Sequence, residues 1–324
     1  MFKQRFGLDL AFYNNITRNQ ILDVPMDQTT GYTKATMNAG KVRNRGIELQ
    51  LDGTPVKTKN FTWNSTFTWA KNYNKVLSLA AGLTDGQTIA YTGGTNCALI
   101  AKVGGSIGDI YGYKLKRAPD GQVVWKDGIT ARTTEFEYVG NAYPAWKAGF
   151  SNEFSYKNFR VSILFDGQWG GIVYSQTHHK MTEHGTLKHT LKYRENPNFE
   201  VVGEGVMLDE RGQYVPNNVP ISVSKYYADY WRRANVETNS FDASFLKLRE
   251  ARIEYTIPSA GLNKIGIERL TLALYGRNLA MWTKDFPVYD PEVATLNNGT
   301  IVPGSEMGQL PSTRTMGFNL TLKF

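Results

Sequence analysis

Apolar and polar residues alternate with a period of two along much of the chain, the pattern of β-strands with one apolar face. In "FTWNSTFTWA" the apolar series is Phe61, Trp63, Phe67 and Trp69, and mostly threonines take the other face. The same alternation predicts eight strands, at about residues 4–17, 42–55, 60–75, 145–156, 159–173, 242–257, 267–282 and 312–324. In the sixth of them, "FLKLREARIEYTIP", the two series change sides, which predicts a β-bulge.

The connections between the predicted strands are of two kinds. Some are tight and polar, at residues 57–60, at 156–158 and in "PSAGLNKIGIE". Others are very long, at about residues 19–41, 76–143, 174–240 and 287–311. Such loops are unusual in a soluble domain, whereas a transmembrane β-barrel has short periplasmic turns and long extracellular loops. The pattern therefore favours an all-β, antiparallel transmembrane barrel portion, and each strand can supply the roughly 9–11 residues that crossing requires.

Composition agrees with an all-β chain, since aromatic residues make up 13% and there are 31 glycines. No run of about 18 apolar residues predicts a transmembrane helix. The net charge is +8, but the basic residues look scattered, often one per strand on the polar face. We therefore expect no nucleic-acid partner.

The final strand, "TMGFNLTLKF", shows the alternation clearly. In a barrel wall its apolar face would meet lipid and Phe324 would lie in an interfacial aromatic belt. In a soluble β-sandwich, the alternative, Phe324 would be buried in a core. An alternating strand with a terminal aromatic also resembles the signal read by the outer-membrane barrel assembly machinery. An assembly role is therefore predicted for Phe318, Leu320, Leu322 and Phe324.

Several segments resemble the SusC/RagA-type TonB-linked outer-membrane transporters of the Bacteroidetes. "DASFLKLREARIEYTIP" resembles their penultimate hairpin, and "LALYGRNLAMWTKDFPVYDPEV" resembles the next strand and loop, with "GRNL" at 276–279 and "DPE" at 290–292. Four further segments resemble the family in the family's order: "VRNRGIELQL", "FTWNSTFTWAKNYNKVLSL", "GGSIGDIYGYKLK" and "YVGNAYPAWKAGFSNEFSYKNF".

The resemblance implies that residues 1–324 form the C-terminal part of the barrel, about eight of roughly 22 strands, without the signal peptide, TonB box and plug domain. It implies import of oligosaccharides or peptides across the cell outer membrane, together with a SusD-like lipoprotein. TonB would act through the missing N-terminal part, and the barrel assembly machinery and outer-membrane lipid would be further partners. The alternative is a soluble β-sandwich or an orphan outer-membrane barrel with an adhesion or binding role.

Residues with catalytic chemistry are few. The sequence "SQTHHKMTEHGTLKH" places four histidines in one long loop, and we interpret them as solvated rather than metal-binding: His178, His179, His184 and His189. Cys97 is interpreted as an inert thiol in a loop, and "DGQVVWKDG" as two Asp-Gly turns around a short strand. No nucleophile elbow or P-loop is present. The sequence therefore predicts no enzyme, no cofactor and no metal site.

Exposed aromatic rings are the candidate ligand contacts, because sugar faces stack on them. We assign a substrate-binding role to Trp169, Tyr174, Trp282 and Tyr289. For the two tryptophans the alternative is a lipid girdle, which is also our interpretation of Trp63 and Trp69. In "YYADYWRRAN", Tyr230 and Trp231 are expected either to pack within the loop or to contact the partner lipoprotein.

Overall fold

Eight long strands of the chain form one antiparallel sheet, called the wall below. The computed structural model describes residues 5–19, 21–25, 31, 34–38, 40–79, 86–92, 95–258, 262, 266–292, 295–297 and 300–324. The wall strands are β1 (Phe6–Arg18), β2 (Gly40–Lys57), β3 (Phe61–Leu79), β4 (Trp146–Tyr156), β5 (Phe159–Trp169), β6 (Phe245–Ile257), β7 (Arg269–Thr283) and β8 (Thr315–Lys323). All eight predicted strands are confirmed, with ends that differ by a few residues.

The wall is an open arc in which every strand lies next to its neighbours in sequence. β1 and β8 stand at its two edges and do not pair with each other within the described residues. The predicted bulge of β6 is confirmed at Arg249, where the register shifts between Leu248 and Glu250. A closed eight-stranded barrel would join the two edges, so this arrangement is instead that of a segment of a larger barrel.

The register sorts the wall into one apolar and one polar face. Directly paired residues form an apolar row across five strands: Leu8, Leu51, Phe67, Phe150 and Phe165. The neighbouring row, on the opposite face, is polar or small: Asp9, Gln50, Thr68, Gly149 and Asp166. The apolar face is largely uncovered, and Phe318 on β8 is 79% exposed. The soluble β-sandwich alternative is therefore wrong, because a sandwich would bury this face under a second sheet.

Tight turns close one end of the wall, called the turn end. Lys157 adopts φ = +51° in the two-residue turn between β4 and β5, as such hairpins require. Between β2 and β3, the Thr58 hydroxyl accepts a hydrogen bond from the Phe61 backbone N–H at 3.0 Å. The third predicted turn, "PSAGLNKIGIE", lies partly outside the described residues, at 259–261 and 263–265.

The long connections meet at the opposite end, called the loop end, where they fold into a loop layer. One four-stranded sheet contains Gln87–Thr92, Cys97–Ala101, Asp109–Gly112 and Glu137–Asn141. A second contains Val124–Lys126, Ile129–Thr130, Val206–Leu208 and Tyr214–Pro216. Ile172–Ser175, Ser240–Asp242 and Ser305–Glu306 form a three-stranded sheet. Two-stranded sheets pair Ile21–Pro25 with Lys34–Asn38, Glu200–Val202 with Pro220–Ser222, and Thr295–Asn297 with Thr300–Val302.

Short helices complete the loop layer. The α-helices are α1 (Gln176–Glu183) and α2 (Val223–Tyr230), and 3-10 turns span Lys188–Leu191, Pro197–Phe199 and Glu237–Asn239. None of the described helices is long and apolar enough to cross a membrane.

The packed cores lie mostly in the loop layer rather than against the wall. One cluster gathers around Trp125 and Tyr227, and another around Leu99, Ile110 and Tyr174. Cys97 belongs to the second cluster, so its predicted place in a loop is wrong: it begins a strand and is fully buried. Burial raises the pKa of the Cys97 thiol, which leaves it unreactive.

Candidate functional site

A buried ion-pair network joins the polar face of the wall to the connection that follows β7. Lys247 of β6 lies 2.6 and 2.8 Å from the two carboxylate oxygens of Asp290, and it also pairs with Glu292. The Lys247 side chain is only 3% exposed. Arg249, the bulged residue, contacts both Glu292 and Asp166 of β5. Every charge in the network has a partner, as buried charges require.

The local backbone holds Asp290 ready for this contact. The Glu292 backbone N–H donates a hydrogen bond of 3.0 Å to the Asp290 carboxylate. This contact closes a tight Asx-type turn around Pro291. Burial by itself would raise the pKa of Asp290, but hydrogen bonds from Lys247 and Ser312 outweigh it, and the net shift is downward. Asp290 therefore stays ionised and keeps Lys247 paired. Segments that are 43 residues apart in sequence meet at this contact.

A second anchor joins two parts of the loop layer around the buried Glu306. This carboxylate accepts hydrogen bonds from Ser175, from Thr177 at 2.6 Å and from the Tyr289 hydroxyl. Burial favours the protonated form, but these donors lower the pKa of Glu306 overall. Burial, and then the bond to Glu306, raises the pKa of Tyr289 to about 12. The connections that follow β5 and β7 are thus held together by a carboxylate with several donors.

A polar cavity of about 440 Å³ opens beside the ion-pair network on the polar face. Its lining includes Asp9, Glu48, Gln50, Thr68, Lys147 and Glu292. Carboxylates, amides and hydroxyls of this kind can bind the hydroxyl or amide groups of a polar solute.

Two belts of aromatic side chains border the apolar face. At the loop end, Trp146 and Trp169 stack with ring centroids 6.4 Å apart, and Trp282 lies on a nearby strand of the same face. At the turn end, Trp63 stacks on Phe154 at 5.8 Å. Aromatic belts at both ends of an apolar band mark the two interfaces of a membrane-spanning barrel.

Comparison with known proteins shows which family the chain resembles. TonB-dependent receptor P26 of Formosa agariphila is 29% identical over 354 aligned residues, which cover the whole chain and 33% of that receptor. TonB-dependent receptor SusC of Bacteroides thetaiotaomicron is 26% identical over 180 residues, which cover 52% of the chain and 18% of SusC. The resemblance to SusC/RagA-type TonB-dependent receptors is confirmed. No protein-family model matches the chain, which spans about a third of the length of P26.

Solved structures show the same fold. The RagAB peptide transporter superposes with a TM-score of 0.68 at 20% identity, over the whole chain and 34% of the compared chain. The RagAB peptide importer in its "closed-closed" state gives a TM-score of 0.69 at 21% identity. The wall is therefore part of an outer-membrane barrel. In barrels of this kind the apolar face meets lipid and the long loops are extracellular.

The structure places the four substrate-binding candidates apart from the polar cavity. Trp169 and Trp282 are half-exposed on the lipid face, which supports the girdle interpretation. Tyr174 is fully buried, and its hydroxyl donates to the Arg233 carbonyl at 3.1 Å. Its assignment is corrected, because a core ring has no free face for a sugar. Tyr289 is half-buried and bound to Glu306.

Tyr230 and Trp231 lie in a cluster of aromatic rings. Tyr230 stacks on Trp125 at 6.2 Å, and Trp231 stacks on Tyr227 at 5.5 Å. Both remain partly exposed at the surface of the loop layer. Packing within the loop is therefore seen directly, and a partner contact stays a prediction.

The interpretation of the histidines as solvated is wrong for His178 and His179, which are buried in α1. His178 Nδ1 lies 2.9 Å from the side-chain oxygen Oδ1 of Asn239, and His179 Nδ1 lies 2.8 Å from the backbone carbonyl of Trp231. Burial lowers the pKa of His178 to about 4. Among the described residues, no group of three or more potential ligands is arranged to hold a metal ion. These histidines pack the loop layer.

Sequence reasoning missed two features of the wall. The first is the pairing of Lys247 and Arg249 with the "DPE" segment, which no local pattern signals. The second is a concentration of basic residues on one face of β1, β2 and β3, which corrects the view that they are scattered. A signal for it existed: where each apolar series ends, the same alternation continues with arginine or lysine.

Proposed function

We propose that the chain is the C-terminal part of the barrel of a TonB-dependent transporter that imports oligosaccharides or peptides. The observation that carries the proposal is the polar cavity beneath a loop layer fixed to the wall by Lys247 and Arg249. A solute arriving from outside would meet shaped loops first and then a polar interior. Similarity to SusC and to the RagAB peptide transporter supports this function.

The substrate contacts belong, in this proposal, to the polar face rather than to the aromatic girdle. Asp9 and Glu48 line the cavity on adjacent strands, next to Gln50 and Thr68. Their oxygens would bind the hydroxyls of a sugar or the N–H groups of a peptide. Trp169 and Trp282 face lipid and would contribute to anchoring instead.

The partners follow from the same proposal. A SusD-like lipoprotein would dock on the loop layer, where the partly exposed edges of Tyr230 and Trp231 are available to it. TonB would supply energy through a part of the transporter outside this chain. The barrel assembly machinery and outer-membrane lipid would act on the wall.

Uptake by cells that produce the full-length receptor containing this chain tests the proposal. We expect energy-dependent uptake of an oligosaccharide or peptide, abolished when TonB is removed. Asp9→Asn combined with Glu48→Gln should lower uptake about tenfold, the effect of about 1.4 kcal/mol of lost binding. The matched control is Glu210→Gln combined with Glu268→Gln, two exposed acids outside the cavity. Uptake that survives the removal of TonB would refute the transport function.

A further inference from the structure

A basic patch on β1, β2 and β3 lies on the same face as the lipid-exposed apolar band. The register aligns Phe12, Ile47 and Lys71 in one row, and Ile16, Arg43 and Lys75 in a row nearer the loop end. Between these rows, Arg45 pairs with Asn14 and Tyr73, and beyond them Arg18 pairs with Lys41. The patch consists of Arg18, Lys41, Arg43, Arg45, Lys71 and Lys75.

Among the described residues, the loop layer packs on the other side of these strands, and the patch is partly or fully exposed. On the polar face Asn74 donates to Asn44 at 2.9 Å, and the Ser106 hydroxyl of the loop layer donates to Asn74 at 3.0 Å. Val42 and Val76 are also buried against the loop layer. All six basic side chains point to the face opposite Val42 and Asn74, because neighbouring residues of a strand alternate between its two faces.

The charges of the patch are not neutralised by the protein. Across the described residues, no ion pair involves any of the six basic side chains. Arg45 and Lys71 lie 5.8 and 4.9 Å from the ring centre of Tyr73. The acids of these three strands, Asp9, Glu48 and Asp52, all project from the polar face. An anion approaching the patch would therefore meet no acidic side chain of these three strands.

The height of the patch in the membrane identifies its ligand. Lys41 lies six residues from Ile47 along β2, a distance of about 20 Å at roughly 3.3 Å per residue. The patch thus begins where the apolar band stops on the loop-end side. It continues towards the loop end, at the level of the outer-leaflet headgroups. We propose that it binds the phosphate groups of a phosphorylated outer-leaflet glycolipid, whose acyl chains lie on Leu10, Leu49 and Trp69.

Arginine suits this ligand, because a planar guanidinium can donate two parallel hydrogen bonds to one phosphate. Basic side chains near an anionic membrane surface also add to binding one by one. A lipid fits better than an acidic protein, since an occupant of this face has to lie along the membrane. The inference rests on the outer-membrane location and not on the proposed transport.

Binding of diphosphorylated lipid A, presented in mixed detergent micelles to the immobilised full-length receptor, tests the proposal. The test variant combines Arg43→Gln, Arg45→Gln and Lys75→Gln. The matched control removes three exposed charges at the turn end, by Lys57→Gln, Lys59→Gln and Lys157→Gln. We expect about 100-fold weaker binding for the test variant, about 2.8 kcal/mol at 1.4 kcal/mol per tenfold, and wild-type binding for the control.

Further arms identify the source of the phosphate. Dephosphorylated lipid A should bind the wild type as weakly as diphosphorylated lipid A binds the test variant, and raised salt should remove the difference. Equal loss in the control variant would overturn the proposal, as would indifference to lipid phosphorylation. Full competition by inorganic phosphate at low millimolar concentration would also overturn it. So would an acidic protein that co-purifies with the wild type only, while lipid binding is unchanged in the variant. Heat-modifiable gel migration verifies that both variants are folded, and unchanged uptake separates this result from a failure of the transport proposal.

Discussion

At the scale of single residues, the polar face depends on charges that are paired rather than solvated. Lys247 is almost completely buried between Asp290 and Glu292, whereas Arg277 and Glu250 form a pair near the surface. A buried charge that loses its partners cannot be rehydrated cheaply, but an exposed charge can. The two pairs occur in the same sheet, so they allow a matched comparison.

Lys247→Met removes the buried cation while it keeps most of the side-chain volume. We expect a loss of about 3–5 kcal/mol, because the buried Asp290 carboxylate then lacks a charged partner, although Glu292 keeps its pair with Arg249. Limited proteolysis in detergent should cut the connection at residues 284–314 much faster than in the wild type. Arg277→Met is the control: its side chain is 63% exposed, so the stability change should stay below about 1 kcal/mol. Equal protease resistance of the two variants would contradict the conclusion that the Lys247 ion pairs hold this connection on the wall.

The sequence pointed to the segments that form the ion-pair network, but it did not show that they contact each other. The "DPE" segment and the bulged "FLKLRE" strand were both noted in the sequence, yet their contact spans 43 positions. Hydrophobic periodicity reports only local geometry, and a long-range ion pair leaves no periodic trace. Tyr174 was misassigned for a related reason, since burial depends on the neighbours that the fold brings to it.

At the scale of elements, the wall strands were predictable and the small elements of the loop layer were not. Each wall strand spans nine or more residues with one apolar face, as β8 (Thr315–Lys323) shows, so the period-2 signal repeats several times. Loop-layer strands such as Ile129–Thr130 span only two residues. Strands this short are defined by their tertiary partners rather than by their own pattern. The Asp-Gly turn beside this strand was predicted from its residue types. Asp127 and Gly128 both adopt the positive φ that such a turn requires.

Helix α1 makes the loop layer sensitive to acid. Burial lowers the pKa of His178 to about 4, below its ordinary value of 6.5, so the folded state favours the neutral ring. Its stabilising contribution is complete above pH 6.5 and is lost as the pH falls towards 4, because the unfolded chain takes up the proton first. Burial also lowers the pKa of His179 and of His189, which stacks on His178. Glu183, Lys180 and Arg233 are charged groups that act on His179 in this cluster.

Hydrogen exchange of residues 172–244 at pH 7.5, 5.5 and 4.5 measures this effect. Protection should fall with pH, by at most about 1.4 kcal/mol per pH unit for each group. His178→Asn retains an N–H donor for Asn239 and should reduce the pH dependence, leaving the part that His179 and His189 contribute. His184→Asn, at an exposed position, should not. An identical pH profile in the wild type and His178→Asn would show that His178 is not the titrating group.

At the scale of the whole molecule, the chain has a mean hydropathy of −0.39 because it lies in two different surroundings, a membrane and water. In the wall, every second side chain faces lipid and the others face a polar interior. The apolar and polar residues therefore nearly cancel in the mean hydropathy of the wall. The loop layer adds water-exposed surface around several small cores. A composition typical of soluble proteins is therefore compatible with a membrane barrel. Strand order and loop asymmetry were predictable for the same reason, since both follow from alternating faces and from connections that alternate in length.

We propose that the outward apolar series of β8 guides assembly of the barrel, because β8 is an edge of the wall and an edge must be paired within lipid. Phe318, Leu320, Leu322 and Phe324 continue the lipid face from the loop end to the turn end. Burying one such ring in the bilayer contributes about 1.5–3 kcal/mol, and an aspartate near the interface costs little in a finished barrel. Phe324→Asp in the full-length receptor should therefore lower the amount of folded barrel in the outer membrane, while the assembled fraction binds substrate normally. Leu310→Asp, in the loop layer at 91% exposure, should leave the amount unchanged. Normal membrane levels of Phe324→Asp combined with weaker substrate binding would place Phe324 at a ligand site instead of in assembly.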